Sequence, residues 1–371
     1  GNDFEWASAP EERRRLWAAR HNAYFAAVSS RPGCRSISTD VCVPISRLAD
    51  CLLQSVDEVN ASGIPYFLVG HVGDGNFHCL ILVDVDNPDE VARADVILAV
   101  GGGKMIDLCK LLSIQTGKAL VTVPTIASTC AAVTRVGVIY HPDHSFSRHI
   151  FRNRPAEHTV IDTDIIARAP TVYLWAGIGD ALSKQVESPF SSRGLALGHS
   201  DRVGVDISRR GAEPLFAHGA QALADAERGE ASDAVREMAL TILVTTGLTS
   251  VLVQHRFNSS FAHAVYNAHT TMPDAGNHLH GEIVSLGVLV LLTLDGQFAE
   301  RDRFHDLNAS LGLPTRTDQV SVGPGRLDEF TDRIMDFVRP EEAPYPITRA
   351  MVHQALLDLN AYSAAREAER P

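Results

Sequence analysis

One carboxylate near the middle of the chain and two imidazoles in its second half are of the types that bind a catalytic metal ion. Asp180 stands in the sequence GIGDALSK, His263 in FAHAVYNAHT and His280 in NHLHGEIVSLG. Three protein ligands that leave one coordination position open are typical of a catalytic site, whereas structural sites are closed. Because the chain contains 16 histidines, chance is the alternative explanation. These residues predict a three-ligand catalytic metal site.

Two successive helices are expected to carry the imidazoles. Pro273 and Gly276 predict that the helix containing His263 ends before them. The apolar run 283–294 predicts a buried helix, which places His280 at the N-terminus of that helix and facing a cavity.

The carboxylate is expected at a helix start, because Asp180 directly follows Gly177 and Gly179. From residue 173 to residue 371 the patterns indicate helices and turns only. We therefore expect an all-helical domain that holds the metal site.

A glycine-rich turn follows an apolar run in ADVILAVGGGKMIDLCKLLS. The run 96–100 is typical of a parallel strand that is covered on both faces. Gly101, Gly102 and Gly103 let the backbone approach a pyrophosphate, whose charge the N-terminus of the helix from Lys104 stabilises. The segment predicts a dinucleotide-binding unit, and a plain turn is the alternative.

Further strands are predicted on both sides of this turn. After it, a strand at 119–123 leads into the loop PTIASTC, and VGVIYHPDHSFSRHIF predicts a hairpin. Before it, IPYFLVGH and FHCLILVD predict another hairpin, whose turn is bracketed by His71 and His78. Helices are expected at 9–28 and 46–60.

The three metal-ligand segments resemble, in order and spacing, those of the iron-containing alcohol dehydrogenase superfamily, in its glycerol dehydrogenase-like branch. The resemblance covers residues 93–371 and implies a metal-dependent NAD(P) oxidoreductase. It implies that Asp180, His263 and His280 hold the metal and form the catalytic centre. The residues it assigns to the cofactor are Gly101, Gly102, Gly103, Lys104, Thr125, Ser128 and Thr129.

Two positions depart from the family pattern. Cys130 replaces the aspartate that contacts a substrate hydroxyl in glycerol dehydrogenases, which makes this segment more similar to hydroxycarboxylate dehydrogenases. Cys130 is thus a substrate-contact candidate, and a small buried residue is the alternative reading. Lys184 stands where four-ligand iron enzymes have a histidine, which favours Zn²⁺ over Fe²⁺.

The first 88 residues resemble a different family. RHNAYFA, STDVCVPISRL and GHVGDGNFHCLILV are similar to the C-terminal domain of FAD-linked D-lactate dehydrogenases and related glycolate oxidase-like flavoproteins. The resemblance implies that His71 and His78 once helped to hold a divalent metal. The FAD-binding domain and the Gly-Glu-His-Gly segment of that family have no counterpart here, so FAD is not expected and these histidines form at most a vestigial metal site.

Composition excludes several classes of protein. The chain has 371 residues, 45% hydrophobic and 21% charged, which is ordinary for a folded enzyme of two domains. A net charge of −12 argues against a nucleic-acid partner. Six cysteines without a CxxC pair indicate reduced thiols, and no apolar run is long enough to cross a membrane.

The sequence therefore predicts a fusion of two incomplete families. We expect an oxidase-like α+β segment at 1–92, part of a parallel dinucleotide-binding sheet at 93–170 and a helical metal-binding domain at 171–371. The expected function is a metal-dependent NAD(P) oxidoreductase acting on a small alcohol or 2-hydroxycarboxylate, weakened by the missing first nucleotide-binding units. The alternatives are a flavin-linked D-2-hydroxyacid dehydrogenase fragment and an inactive fusion. We expect a cytoplasmic protein, with a mitochondrial one as the alternative from the second resemblance, and leave a homo-oligomer open.

Overall fold

The fold is known from a computed structural model. It describes residues 11, 25–38, 41–42, 45–63, 65–71, 76–84, 86–87, 89–90, 96–140, 146–273 and 278–369.

An antiparallel sheet forms the described N-terminal part. Its four strands are β1 (Arg35–Ser38), β2 (Val41–Cys42), β3 (Tyr66–His71) and β4 (Asn76–Val83), and helix α1 (Ile45–Ser62) lies between β2 and β3 in sequence. The other three strands all pair with β4, whose Phe77, Leu80 and Leu82 are buried. The predicted β3–β4 hairpin and the predicted helix at 46–60 are confirmed, while residues 72–75 of the turn and most of 9–28 lie outside the described residues.

A parallel sheet follows. Strands β5 (Val96–Gly101), β6 (Ala119–Pro124) and β9 (His158–Thr159) pair in that order, and helix α2 (Gly103–Thr116) connects the first two. The strand–glycine turn–helix unit is thus confirmed. Strands β7 (Val136–Tyr140) and β8 (Phe146–Phe151) form the predicted antiparallel hairpin.

The expectation that β5 is covered on both faces is wrong. Val96 is 50% exposed and Leu98 is 59% exposed, whereas Ala99 on the opposite face is fully buried. An apolar run makes burial of both faces of a strand favourable, but burial requires other elements to pack against each face. Among the described strands none pairs with the outer edge of β5.

A buried ion pair joins helix α2 to the β7–β8 hairpin. Lys110 Nζ lies 2.9 Å from Asp107 Oδ1 and donates to the carbonyl oxygen of Val136. The second carboxylate oxygen of Asp107 accepts the backbone N–H of Val138 at 3.0 Å. Burial raises the pKa of Asp107, while the charge and hydrogen bond of Lys110 lower it. The pair therefore fixes the position of β7 against α2.

From Thr163 onward every described element is helical, which confirms the predicted helical C-terminal part. The α-helices are α3 (Thr163–Arg168), α4 (Thr171–Ser191), α5 (His199–Gly211), α6 (Glu213–Glu227), α7 (Asp233–Leu240), α8 (Thr246–Leu252), α9 (His255–Asn258), α10 (Phe261–Thr270), α11 (His280–Leu294), α12 (Phe298–Leu311), α13 (Leu327–Phe337) and α14 (Arg349–Ala368). A π-helical turn, Thr241–Thr245, joins α7 and α8 into one continuous stretch.

Within the described part of the chain, that stretch, Asp233–Leu252, is the one helix long and apolar enough to cross a membrane, with a mean hydropathy of 1.3. Half of it is buried inside the protein. Val235, Met238 and Ile242 supply a fully buried apolar stripe. These contacts are those of a core helix, and the stretch gives no more than weak evidence for a membrane span.

Candidate metal centre

Asp180 lies in the middle of a helix, which corrects the expectation of a helix start. Helix α4 runs from Thr171 to Ser191. The glycines before Asp180 serve a different purpose: a Cβ on Gly177 would lie 2.0 Å from the carbonyl oxygen of Ala127, and one on Gly179 would lie 2.4 Å from that of Gly281. Gly177 and Gly179 thus let other backbone segments touch α4 directly.

The two helices that carry the imidazoles approach by the same means. A Cβ on Gly281 would lie 1.7 Å from the carbonyl oxygen of Ala176, so α11 contacts α4 backbone to backbone beside Asp180. A Cβ on Gly287 would lie 2.6 Å from the carbonyl oxygen of Ala262, so α10 contacts α11 in the same way. The close packing places three ligand-bearing positions within one small volume.

The two histidines stand where their sequence patterns predicted. Helix α10 ends at Thr270, before Pro273, and α11 begins at His280. The apolar run that follows is buried from Ile283 to Thr293. His280 therefore occupies the first position of a core helix.

The structure brings Asp180, His263 and His280 together, with one ligand atom of each within 4.8 Å of the other two. His280 Nε2 lies 3.1 Å from Asp180 Oδ1, and His263 Nε2 lies 3.7 Å from the same oxygen. The two imidazole rings are 5.4 Å apart between centroids and are tilted by 53°. Both Nε2 atoms thus converge on one carboxylate oxygen.

Glu187 sets the tautomer of His263. His263 Nδ1 lies 2.7 Å from Glu187 Oε2, and a carboxylate can only accept at neutral pH, so Nδ1 donates. In the neutral ring Nε2 then carries a lone pair, and this lone pair faces the carboxylate of Asp180. Two electron-rich groups that face each other inside a protein are stabilised by a cation between them. The donor set of two imidazoles and one carboxylate fits Zn²⁺ and Fe²⁺.

Glu187 is itself fixed within the fold. Its side chain is fully buried, and Oε1 accepts the backbone N–H groups of Ser260 at 2.8 Å and His263 at 3.2 Å. Burial raises the pKa of Glu187, but the charge and hydrogen bond of His263 outweigh it, so the pKa is lowered overall. A carboxylate that orients a metal-binding imidazole is a common supporting group. The sequence prediction missed this residue.

The charge of Asp180 is held by its surroundings. Burial raises the pKa of this carboxyl, but His280, His263 and Lys184 together lower it to about 2. Lys184, one helical turn further along α4, is buried, and its ammonium donates to the carbonyl oxygen of Asn258. Lys184 is thus directed at the backbone, and Asp180 is available as an ionised ligand.

His280 is held on one side by an aromatic ring. The ring of Tyr266 meets that of His280 edge-on, with 4.2 Å between centroids. Nδ1 of His280 is buried and has no hydrogen-bond partner among the described residues. The backbone N–H of Leu279, the residue before His280, donates to Glu282 Oε2 at 3.0 Å. Nδ1 of His278 lies 2.8 Å from the other oxygen of the same carboxylate. Glu282 therefore anchors the segment that leads into the helix.

The predicted cofactor loops lie against each other. Gly101 has φ of 152°, a value that favours glycine. A Cβ on Gly103 would lie 3.2 Å from Thr129 Oγ1, and the carbonyl oxygen of Gly101 accepts the backbone N–H of Thr125. Helix α2 begins without a side-chain cap, so its first amides are available to an anion.

The remaining predicted cofactor residues share this region. Lys104 is exposed in the first turn of α2, Gly102 packs against Ile126, and Ser128 is half-buried. Thr129 caps the short 3₁₀ turn Cys130–Ala132. The arrangement fits the pyrophosphate and nicotinamide end of a dinucleotide.

Cys130 follows Thr129 at the end of the predicted cofactor loop and begins the 3₁₀ turn. Burial raises the pKa of its thiol, the charge of Lys184 lowers it and that of Asp180 raises it. A hydrogen bond links the thiol to Thr246, which lies just after the π-helical turn. Cys130 is therefore within electrostatic reach of the metal centre. The side chains of His71 and His78 lie outside the described residues.

Two sequence families match this chain. Residues 1–102 match the family described as FAD linked oxidases, C-terminal domain, and residues 89–163 match the family described as iron-containing alcohol dehydrogenase. The glycerol dehydrogenase of Thermotoga maritima is 30% identical over 285 residues, covering 74% of this chain and 77% of that protein. The glycolaldehyde reductase of Halobacterium salinarum is 27% identical over 343 residues, covering 87% and 93%.

A similar solved structure and a short N-terminal match agree with the assignment of the two parts of the chain to two families. A crystal structure of a probable glycerol dehydrogenase from Sinorhizobium meliloti superposes with a TM-score of 0.66 at 28% identity, covering 75% of this chain and 82% of that one. The probable mitochondrial D-lactate dehydrogenase of Danio rerio is 53% identical over 93 residues, but these are only 19% of that protein. The chain is a fusion that belongs to the iron-containing alcohol dehydrogenase family and carries a segment of the FAD-linked oxidase C-terminal type before it.

Proposed function

We propose that this chain is a metal-dependent NAD(P) oxidoreductase that interconverts a small alcohol and its carbonyl compound. The observation that carries the proposal is the convergence of Asp180, His263 and His280 within 4.8 Å. The relatives named above, a glycerol dehydrogenase and a glycolaldehyde reductase, are consistent with it. We further propose the division into segments 1–92, 93–170 and 171–371, the first of the flavoprotein type.

Each part of the site has a defined task. When bound, the metal polarises the substrate oxygen as a Lewis acid and the nicotinamide exchanges the hydride. Asp180 supplies a charged ligand, and Glu187 keeps the Nε2 lone pair of His263 directed at the ion. The first amides of α2 and the loop 124–130 hold the dinucleotide. Gly179 and Gly281 keep the helices close enough for the ligands to meet.

Zinc is the metal we propose, with iron as the alternative. The fourth protein ligand of an iron site would have to come from the position of Lys184, whose ammonium donates to a backbone carbonyl oxygen instead. Three protein ligands and one open position are the usual catalytic zinc arrangement.

Metal analysis of two single variants tests the proposal. We expect purified protein to retain about one equivalent of zinc, and His263→Ala to lose both the metal and all dehydrogenase activity. The matched variant His71→Ala should change neither, because the ligand set of the N-terminal segment is incomplete. Metal loss from His71→Ala with retention in His263→Ala would move the site to the N-terminal segment, and a yellow protein with bound flavin would support the D-2-hydroxyacid dehydrogenase alternative.

Cofactor affinity tests whether the fusion is active. The described sheet contains three parallel strands, and Val96 and Leu98 at its β5 edge are exposed. If two or three hydrogen bonds to the adenosine end are missing, at about 1 kcal/mol each, NADH affinity falls roughly 30- to 150-fold. Fluorescence titration with NADH measures this. Binding as tight as that of an intact relative would mean that residues 1–92 rebuild the missing contacts.

A further inference from the structure

The two imidazoles that face Asp180 are held in different ways. Nδ1 of His263 donates to the buried carboxylate of Glu187 at 2.7 Å. Nδ1 of His280 is also buried, yet it has no hydrogen-bond partner among the described residues. A neutral imidazole that ligates a metal through Nε2 carries its proton on Nδ1, so this nitrogen becomes a buried donor when the metal binds. A buried donor without an acceptor costs free energy, and a group beside it is expected to offset that cost.

The ring of Tyr266 packs closely against that of His280. The two centroids lie 4.2 Å apart, and the ring planes meet at 79°. Aromatic pairs are usually about 4.5–7 Å apart between centroids, so this pair is unusually close. So short a distance fits the imidazole presenting its edge to the face of the phenol ring, because the edge of the smaller ring lies nearer to its own centroid. The edge of His280 is thus directed at an aromatic face.

Helix α10 places Tyr266 in this position. Tyr266 follows His263 by three residues, so the two side chains lie on one face of the helix. Both are half-buried, whereas Val265 and Ala268 on the opposite face lie in the core. One helix therefore supplies the first imidazole ligand and also the ring that contacts the second, His280.

Only one nitrogen of His280 is available to the phenol ring. Nε2 lies 3.1 Å from Asp180 Oδ1, where the ligand atoms converge. The other nitrogen, Nδ1, is the buried atom that lacks a partner among the described residues. The face of a phenol ring carries the negative part of its quadrupole and accepts a weak hydrogen bond from an N–H group. An acceptor face thus lies against the imidazole whose second donor has no other partner there.

We propose that the ring face of Tyr266 accepts Nδ1–H of His280 and thereby positions this imidazole for the metal. Tyr266 is then a positioning residue, which does for His280 what Glu187 does for His263. This inference rests on the proposed function, because it takes Nε2 of His280 as a metal ligand. The aromatic face performs this role, and the hydroxyl group is not needed for it.

Zinc affinity, measured by competition with a chromophoric chelator, tests the inference. Tyr266→Phe keeps the ring face and should bind zinc within about threefold of the parent. Tyr266→Leu removes the ring and should lower the affinity roughly tenfold, the smaller end of the effect of losing a partner of a metal-binding histidine. The matched control is Phe216→Leu, which should keep its zinc affinity, because Phe216 packs edge-on against Phe304 in α6 and α12. Equal affinities of the Tyr266→Leu and Tyr266→Phe proteins would overturn the inference.

The proton resonance of His280 Nδ1–H in zinc-loaded, ¹⁵N-histidine-labelled protein gives a readout that simple packing would not change. A proton above an aromatic face is shielded, so this resonance should lie upfield in the parent and in Tyr266→Phe and move downfield in Tyr266→Leu. A resonance at the same position in all three proteins would overturn the inference.

Both measurements are independent of turnover and therefore separate this inference from the proposed function. Protein that shows the expected affinities and resonance shift but oxidises no alcohol would refute the dehydrogenase and keep the positioning role. An active dehydrogenase whose zinc affinity and resonance do not respond to Tyr266→Leu would refute the positioning role alone. Failure of the parent protein to bind zinc would overturn both.

Discussion

Replacing Glu187 by glutamine should weaken metal binding without unfolding the protein. Oε1 of Glu187 accepts two backbone N–H groups, of Ser260 and His263, and Oε2 accepts from His263 Nδ1. The glutamine oxygen satisfies the two backbone donors best, which places its NH₂ group opposite Nδ1. Two donors then face each other. His263 resolves the conflict by moving its proton from Nδ1 to Nε2.

The tautomer change acts directly on the metal ligand. A protonated Nε2 has no lone pair for a metal, but its N–H faces the negative charge of Asp180, whose Oδ1 lies 3.7 Å away, and this contact is attractive. The metal-free protein therefore keeps its stability within about 1 kcal/mol. Metal binding must force the proton back against the glutamine NH₂. Loss of such a supporting partner typically costs 10- to 100-fold in metal affinity, about 1.4–2.7 kcal/mol.

Competition against a chromophoric zinc chelator measures the affinity, and urea unfolding of the metal-free protein measures the stability. Asp225→Asn is the matched control: Asp225 is a buried carboxylate in α6 that accepts hydrogen bonds from Ser232, Gln221 and Arg228. We expect this control to lose stability and to keep its zinc affinity. Glu187→Gln protein that binds zinc within threefold of the parent would refute the tautomer argument.

Three further predictions concern the packing and charge around the site. Gly281→Ala should lower the free energy of unfolding by about 3 kcal/mol or more and abolish zinc binding, because the new Cβ would lie 1.7 Å from a backbone oxygen. Gly323→Ala is the control, since its Cβ would meet nothing within 4 Å. Thermal unfolding compares the two variants. Lys110→Met should lower the free energy of unfolding by about 3–5 kcal/mol in urea, because it leaves the buried carboxylate of Asp107 unpaired. The double variant with Asp107→Asn should recover most of this loss. The pKa of Glu342 is raised to about 7, chiefly by burial and then by the charges of Glu187 and Glu341. The fold therefore favours the protonated carboxyl. Its contribution to stability is full below about pH 4.5 and is lost as the pH rises through 7. In chelator-treated protein, Glu342→Gln should therefore have the same free energy of unfolding as the parent near pH 4 and a value roughly 1–3 kcal/mol higher at pH 8. Urea unfolding measures this, and equal stability of the two proteins at both pH values would contradict the argument.

Periodicity and glycine position predicted much of this fold from the sequence. The strand–turn–helix unit at 96–116 and the hairpin at 136–151 were predictable because apolar runs and turn residues are local properties of the sequence. The exposed face of β5 was not, since cover depends on elements distant in sequence. We predicted a helix start from the glycines before Asp180. A glycine inside a helix also occurs where another backbone segment packs directly on the helix, as the segments at Ala127 and Gly281 do here.

Spacing could have identified the main residue that the prediction missed. Glu187 follows Asp180 by seven positions, which is two helical turns, so both carboxylates lie on the same face of α4. One faces the ligand atoms of the imidazoles and the other accepts from Nδ1 of His263. A single helix face thus explains both the charge of the site and the orientation of one ligand.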